Sequence, residues 1–313
     1  MKSVVRYQIN LDVKTLLIGE QIGSGKYGVV YKAVLDGYGA VAAKVVDAST
    51  VKLINFLYSE CDVSTFDLPH AILLKRLVYN PANRDVFDNF VMQNETGNPN
   101  ITFASPSEDC EYDTIICIYD YVDGITLASD VAAHKTQSIT YTQEIVHRYA
   151  FCLLRGLVSL VDAGIAHRDI KPENVMIQRG DLKYIDFGLS CKYEKCPNRL
   201  IGTLKYIPLD MWEYAAGKIN ATPEEAKIIL EKSDVYALGL TICSMLFDKA
   251  GQSALDSVTV VPASASIEDK NRAYYDILSR YTDDILRAVL LGMINEDVKE
   301  RSTAKRALEM ITF

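Results

Sequence analysis

The sequence predicts an α+β chain in which a small β-rich part precedes a larger, mainly helical part. Short β-branched segments with Gly-rich turns crowd the first third of the chain. Beyond Asp123-Gly124 the apolar residues recur at helical spacing instead. The composition agrees: 313 residues, 49% hydrophobic and 24% charged, describe an ordinary globular chain long enough to bury a large core.

The elements follow in order. Leu16–Gln21, Val29–Val34 and Val41–Val46 read as strands. Ala48–Asp67 follows as a mixed segment, with Leu53, Phe56 and Leu57 at helical spacing. Asn80–Asp113 is polar, contains Gly97, Pro99 and Pro106, and reads as a strand plus a long loop. Thr114–Tyr121 reads as another buried strand. Gln143–Ala163 carries Ile145, Tyr149, Cys152, Leu153, Leu157 and Leu160 at helical spacing. Further helices are expected at Pro223–Glu231, Val235–Phe247, Asp284–Ile294 and Thr303–Ile311. Pro223 followed by Glu224 and Glu225 suits a first helical turn. The change of pattern at 121–124 divides the chain into domains 10–121 and 122–313, without internal repeats.

The net charge of −8 argues against a nucleic-acid partner, which calls for a basic surplus, and is compatible with basic protein substrates. Seven scattered cysteines read as reduced thiols of an intracellular, cytoplasmic chain rather than a disulfide framework; a nuclear or host-cell setting stays open. Arg6, Asp12 and Lys14 interrupt the N-terminus, so no signal peptide is read, and Lys2 excludes the usual myristoylation signal. The longest apolar stretch, Val235–Phe247, is too short to span a bilayer and suits a buried helix. No membrane insertion is expected, and the N-x-Ser/Thr triplets at Asn94, Asn100 and Asn220 are then chance matches.

Four motifs carry chemistry. Gly23, Gly25 and Gly28 form a G-x-G-x-x-G-x-V loop between two strands, where backbone can approach phosphates closely. A plain hairpin turn is the competing reading. A dinucleotide-type turn is disfavoured, because a strand rather than a helix follows. Val41-Ala42-Ala43-Lys44 places a lysine in the next strand, either solvated or clamping phosphates. Glu60 in the following segment is its natural ion-pair partner, against a solvent-facing helix glutamate. His167-Arg168-Asp169-Ile170-Lys171-Pro172-Glu173-Asn174 offers a proton acceptor in Asp169, a cation in Lys171 and an amide oxygen in Asn174. Asp186-Phe187-Gly188 adds a carboxylate. A hard cation such as Mg²⁺ takes oxygen ligands of this sort. His167 and Phe187 read as packing.

These residues, in this order, resemble the protein kinase family over nearly the whole chain. The resemblance implies a bilobal kinase fold, with a β-rich N-lobe carrying one main helix and a helical C-lobe. It implies transfer of the ATP γ-phosphoryl group to a protein hydroxyl, with Mg²⁺ or, as a substitute, Mn²⁺. Asp169, Lys171, Lys44 and Thr203 are then catalytic. Ile22, Gly23, Ser24, Gly25, Lys26, Tyr27, Gly28, Val30, Ala42, Lys44, Glu60, Tyr119, Asp120 and Val122 contact ATP, with Tyr119 at the gatekeeper position. Asn174 and Asp186 hold metal. Lys171, together with Gly202-Thr203, resembles Ser/Thr rather than tyrosine kinases. Ser233-Asp234 resembles the start of the central helix of the large lobe, and Arg301 a structural arginine.

The chain also departs from the family pattern. Pro208-Leu209-Asp210 stands where the family has Ala-Pro-Glu, and Asp210 is expected to reach Arg301 with a shorter arm. Extra residues between Asp210 and Asp234 are assigned to the Pro223–Glu231 helix. Tyr193 is the sole hydroxyl between Ser190 and Thr203, so phosphorylation of that segment is not expected to be required. Tyr27 reads as an aromatic cover of its loop, with an inhibitory phosphosite as the alternative. Cys191 and Cys196, beside Lys192 and Lys195, raise a redox switch as a minor alternative. The rival functions are a pseudokinase scaffold and a small-molecule phosphotransferase. The sequence names no regulator.

Overall fold

A computed structural model of the chain describes residues 3–9, 12–25, 28–47, 57, 59–78, 102–106, 114–259 and 266–312. These fall into two compact units. The first takes the described residues up to Asp67, Ile72–Asp123 and the short stretch Asp186–Gly188. The second takes Leu68–Ala71, Gly124–Ile185 and Leu189 onward.

The first unit is a sheet of seven strands: β1 (Ser3–Ile9), β2 (Asp12–Gly25), β3 (Gly28–Leu35), β4 (Gly39–Asp47), β5 (Leu74–Val78), β6 (Thr102–Pro106) and β7 (Thr114–Asp120). The order is β1-β2-β3-β4-β7-β5-β6, and β6 closes on β1. β1 escapes the sequence reading because Arg6 and Gln8 interrupt its apolar pattern. β6 is the strand expected within 80–113; the rest of that segment lies outside the described residues. Of the Ala48–Asp67 segment, residues 57 and 59–63 are helical.

Strand periodicity sorts this sheet into two faces. Leu16, Ile18, Ala33, Leu35, Val41, Ala43, Ile116 and Ile118 pack together on one. The register pairs Gly23 with Val30, Val30 with Lys44, and Lys44 with Cys117; it also pairs Lys32 with Ala42 and Ala42 with Tyr119. Directly opposed residues share a face. Val30, Ala42, Lys44 and Tyr119 therefore all lie on the face opposite the core.

The second unit is mainly helical. Its helices are α1 (Leu127–Gln137), α2 (Gln143–Asp162), α3 (Leu209–Ala215), α4 (Pro223–Leu246), α5 (Lys249–Thr259), α6 (Ile267–Leu278), α7 (Asp284–Met293) and α8 (Ala304–Ile311). Five short strands, β8 (Ile125–Thr126), β9 (Ile165–Ala166), β10 (Val175–Gln178), β11 (Asp181–Tyr184) and β12 (Cys191–Lys192), form small ladders β11-β10-β8 and β12-β9. Thr142 caps α2, which buries Val146, Tyr149, Ala150, Leu153, Leu154, Leu157 and Leu160. The buried stripe thus runs through Val146 and Ala150 rather than Ile145 and Cys152.

One correction concerns α4. The two helices expected at Pro223–Glu231 and Val235–Phe247 are a single helix of 24 residues. Thr222 and Glu225 form a capping box at its start, with Pro223 in the first turn. Lys232, Ser233 and Asp234 look like a break because they are polar. Instead, Lys232 Nζ donates to the Val298 and Lys299 carbonyls at 2.7 and 3.2 Å, and Asp234 is buried with partners of its own. The extra residues before Asp234 therefore lengthen the central helix at its N-terminus.

Candidate active site

In the first unit, Lys44 Nζ pairs with Asp186 Oδ1 at 3.0 Å. Lys44 is only 7% exposed and Glu60 only 1%. Burial disfavours the charged form of Lys44, but Asp186 and Glu60 together outweigh it and hold its pKa above the usual lysine value. Burial pushes the Glu60 carboxyl up to about 8, against the pull of the Lys44 ammonium. Burial and the Glu60 charge likewise raise the Tyr119 phenol. Lys44, Glu60, Asp186 and Tyr119 are thus one electrostatic cluster, in which Lys44 forms an ion pair with Asp186. Asp186 adopts a left-handed backbone, φ +63°, a conformation held only where surroundings impose it.

The other expected nucleotide contacts lie on or beside this face. Ile22 is exposed on β2, and Ser24 pairs with Val29 across the hairpin. A Cβ at Gly28, where φ is +151°, would lie 2.2 Å from the Val45 carbonyl oxygen, so the β2–β3 hairpin admits only glycine there. At Gly25 the same position is open. Asp120 ends β7, and Val122 follows it. Lys26 and Tyr27 lie outside the described residues, and with them both readings of Tyr27.

In the second unit, a short helical turn at Pro172–Asn174 brings Asn174 back towards Asp169. Asn174 Nδ2 donates to the Asp169 carbonyl at 2.8 Å and to its Oδ2 at 3.0 Å. Lys171 Nζ donates to the same Oδ2 at 2.8 Å and to Thr203 Oγ1 at 2.8 Å. Thr203 Oγ1 in turn donates to Asp169 Oδ1 at 2.7 Å. Residues 32 and 34 positions apart therefore meet in one closed ring of polar contacts.

Two supports hold this loop. Asp234 accepts the backbone N–H of His167 at 2.7 Å and of Arg168 at 2.8 Å. Burial pushes its carboxyl up to about 7, with those two donors and the Arg168 charge pulling the other way. The sequence reading placed Asp234 only at a helix start. The available signal was an acid heading the apolar run of α4, which must find donors to be buried. Arg168, at φ +67°, turns its guanidinium to the Arg199 carbonyl at 2.8 Å, the Pro197 carbonyl at 3.4 Å and Cys191 Sγ at 3.5 Å.

The expectation of reduced thiols fails at one pair. Cys191 and Cys196 form a disulfide, their Cα atoms 5.2 Å apart. The turn at Tyr193–Lys195 after β12 brings them together, which spacing alone does not reveal. Asp210 does reach Arg301, at 2.7 and 3.4 Å. Among the described residues no cluster of three or more His, Cys, Asp or Glu is placed to hold a metal, and no helix is long and apolar enough to cross a membrane.

The β-rich unit carries a buried strand lysine paired with an aspartate, and the helical unit carries an aspartate ringed by lysine, asparagine and threonine. The family model for the protein kinase domain matches residues 16–313, and the chain belongs to the protein kinase family. It is similar to a serine/threonine-protein kinase of Bifidobacterium longum, 32% identical over 149 residues that cover 46% of this chain and 18% of the relative. It is also similar to one of Dictyostelium discoideum, 22% identical over 325 residues covering 98% and 58% of the two chains. The MAP3K epsilon protein kinase 1 of Arabidopsis thaliana is 26% identical over 95% of this chain and 19% of its own length. At these identities the chain is a divergent member, and it spans less than two thirds of each of these relatives.

Proposed function

We propose that this chain is an active Ser/Thr protein kinase that transfers the γ-phosphoryl group of ATP to protein Ser or Thr hydroxyls. The observation that carries this reading is the bonding around Asp169. Lys171, Asn174 and Thr203 fix both of its carboxylate oxygens in a loop otherwise anchored by Asp234.

In this reading Asp169 accepts the proton of the substrate hydroxyl as that oxygen bonds to the γ-phosphorus and the bond to the β-phosphate oxygen breaks. Lys171 supplies positive charge beside the transferring group, and Thr203 orients Asp169. Lys44 binds the α- and β-phosphates, positioned by Glu60. Ile22, Gly23, Ser24, Gly25, Gly28, Val30, Ala42, Tyr119, Asp120 and Val122 shape the nucleotide surface.

Protein kinase domains as a class use ATP and a divalent metal. The donor set suits a hard cation such as Mg²⁺. Asn174 commits its Nδ2 to Asp169, leaving Oδ1 as an acceptor, and Asp186 engages Lys44 through Oδ1, leaving Oδ2. When bound, the metal would neutralise charge on the phosphate oxygens.

We also propose that the segment after Asp186 needs no phosphorylation to be ordered. Its own carbonyls, at Pro197 and Arg199, already take the Arg168 guanidinium. Phosphatase treatment that abolished activity would overturn this point.

The decisive experiment for the main reading incubates the chain with labelled ATP, Mg²⁺ and a generic basic protein, beside an Asp186→Asn control. Label on Ser or Thr of the protein, lost in the control, is the expected result. No label, or equal label with the control, refutes catalysis and leaves a scaffold role.

A further inference from the structure

The described disulfide sits in a telling place. Cys191 belongs to β12, whose partner β9 leads directly into His167-Arg168-Asp169. Cys196 precedes Pro197–Arg199, the run whose carbonyls hold the Arg168 guanidinium. Both cysteines pack on a cluster of Ala166, Met211, Ile229 and Leu230 beside α4. Yet both remain partly exposed, with Glu194 and Lys195 exposed between them. The cross-link thus pins the entry of the segment that ends on Thr203.

The two sulfurs are not equivalent. The Arg168 guanidinium lies 3.5 Å from Cys191 Sγ. A neighbouring cation stabilises a thiolate, and the better-stabilised thiolate is the faster leaving group in thiol–disulfide exchange. Disulfides of reducing compartments are characteristically transient and redox-sensing.

We propose that Cys191–Cys196 is a thiol–disulfide exchange site for a low-molecular-weight thiol, with Cys196 the sulfur attacked and Cys191 the thiolate that leaves towards Arg168. The incoming thiolate forms a mixed disulfide with Cys196 Sγ as the Cys191–Cys196 bond breaks. A second thiol displaces Cys196 from that adduct. The net change reduces the protein disulfide to two thiols and oxidises two small thiols to their disulfide. Opening the link frees Pro197–Arg199 from β12, and with it the path to Thr203. The effect on activity rests on the kinase reading; the exchange chemistry does not.

The test poises the full chain in glutathione buffers of rising reduced-to-oxidised ratio, quenches with acid, alkylates the thiols and maps them by mass spectrometry. The expected result is reversible opening of Cys191–Cys196 across the glutathione range, with the glutathione adduct trapped on Cys196. Trypsin cleavage after Lys195 and Arg199 rises several-fold on reduction, and a Cys191→Ser/Cys196→Ser double variant is cut at the reduced rate under all conditions. Label transfer from ATP falls on reduction of the wild type and is insensitive to it in the double variant. A disulfide that resists excess reduced glutathione, an adduct on Cys191, or cleavage indifferent to reduction overturns the proposal. Label transfer absent from oxidised and reduced forms alike refutes the kinase reading, while mapping and proteolysis still decide the exchange site.

Discussion

Arg301 grips Asp210 with both terminal nitrogens, at 2.7 and 3.4 Å, and both side chains are buried. The same guanidinium also donates to the Asn295, Lys232 and Glu296 carbonyls. It therefore ties α3, α4 and the segment before α8 to one point. Two parallel contacts of this kind make the pair stronger and more directional than a single one.

Removing one partner of such a pair leaves an uncompensated buried charge, costing about 3–5 kcal/mol. Asp210→Ala should therefore lower the urea midpoint sharply at unchanged slope. Asp210→Glu should lose about 1–3 kcal/mol, the usual cost of overpacking. A wild-type midpoint for Asp210→Ala would remove the pair from the stability of this unit.

Asp169→Asn keeps the ring's shape but removes the proposed proton acceptor. Loss of a positioned general base typically costs about 10²–10⁴-fold in rate. Label transfer should fall within that range while the thermal midpoint moves little. Lys44→Met should cost about 10²–10³-fold, comparable to losing one charge-stabilising donor. Steady-state kinetics with both variants, beside circular dichroism melts, checks the pair.

Glu60 carries its own pH signature. Its carboxyl is pushed from the usual 4.5 up to about 8 by burial. Between those values the native state keeps a proton that the unfolded chain has released, so stability from this group falls as pH rises through the window. Glutamine has no proton to lose. The melting temperature of Glu60→Gln relative to wild type should therefore climb from pH 5 to pH 8. A pH-independent difference would contradict the burial described here.

Gly202 adopts φ +117°, and a Cβ there would lie 2.4 Å from the Arg168 carbonyl oxygen. Gly202→Ala should introduce strain on the order of 1–3 kcal/mol beside Thr203 and the loop that carries Asp169. The measurable result is a drop in kcat larger than any change in KM for ATP. Unchanged kcat would show that Thr203 does not depend on this turn.

Much of this was legible because chemistry and periodicity coincide in the sequence. Val41–Val46 reads as a strand, and a period of two then places Lys44 on the face opposite Ala43. The ring around Asp169 was legible as residue types, since Lys171 and Asn174 follow it within five residues. Thr203 joined that set only through the family resemblance, because a contact over 34 positions depends on how the intervening segment folds. α1 escaped notice because its two buried positions, Leu127 and Val131, give no sustained stripe. The break imagined at Lys232–Asp234 shows the opposite failure. Polar residues in a helix interior mark an interruption only if they lack buried partners, and sequence cannot show the Val298 carbonyl or the His167 amide.

That long helix has a consequence for motion. The amides of His167 and Arg168 find their acceptor on α4, 67 and 66 positions away, rather than on their own loop. An amide exchanges with solvent only when the structure holding its acceptor opens. These two loop amides should then exchange deuterium as slowly as the interior of α4, a rigid hub within a stretch of chain that has no regular secondary structure of its own.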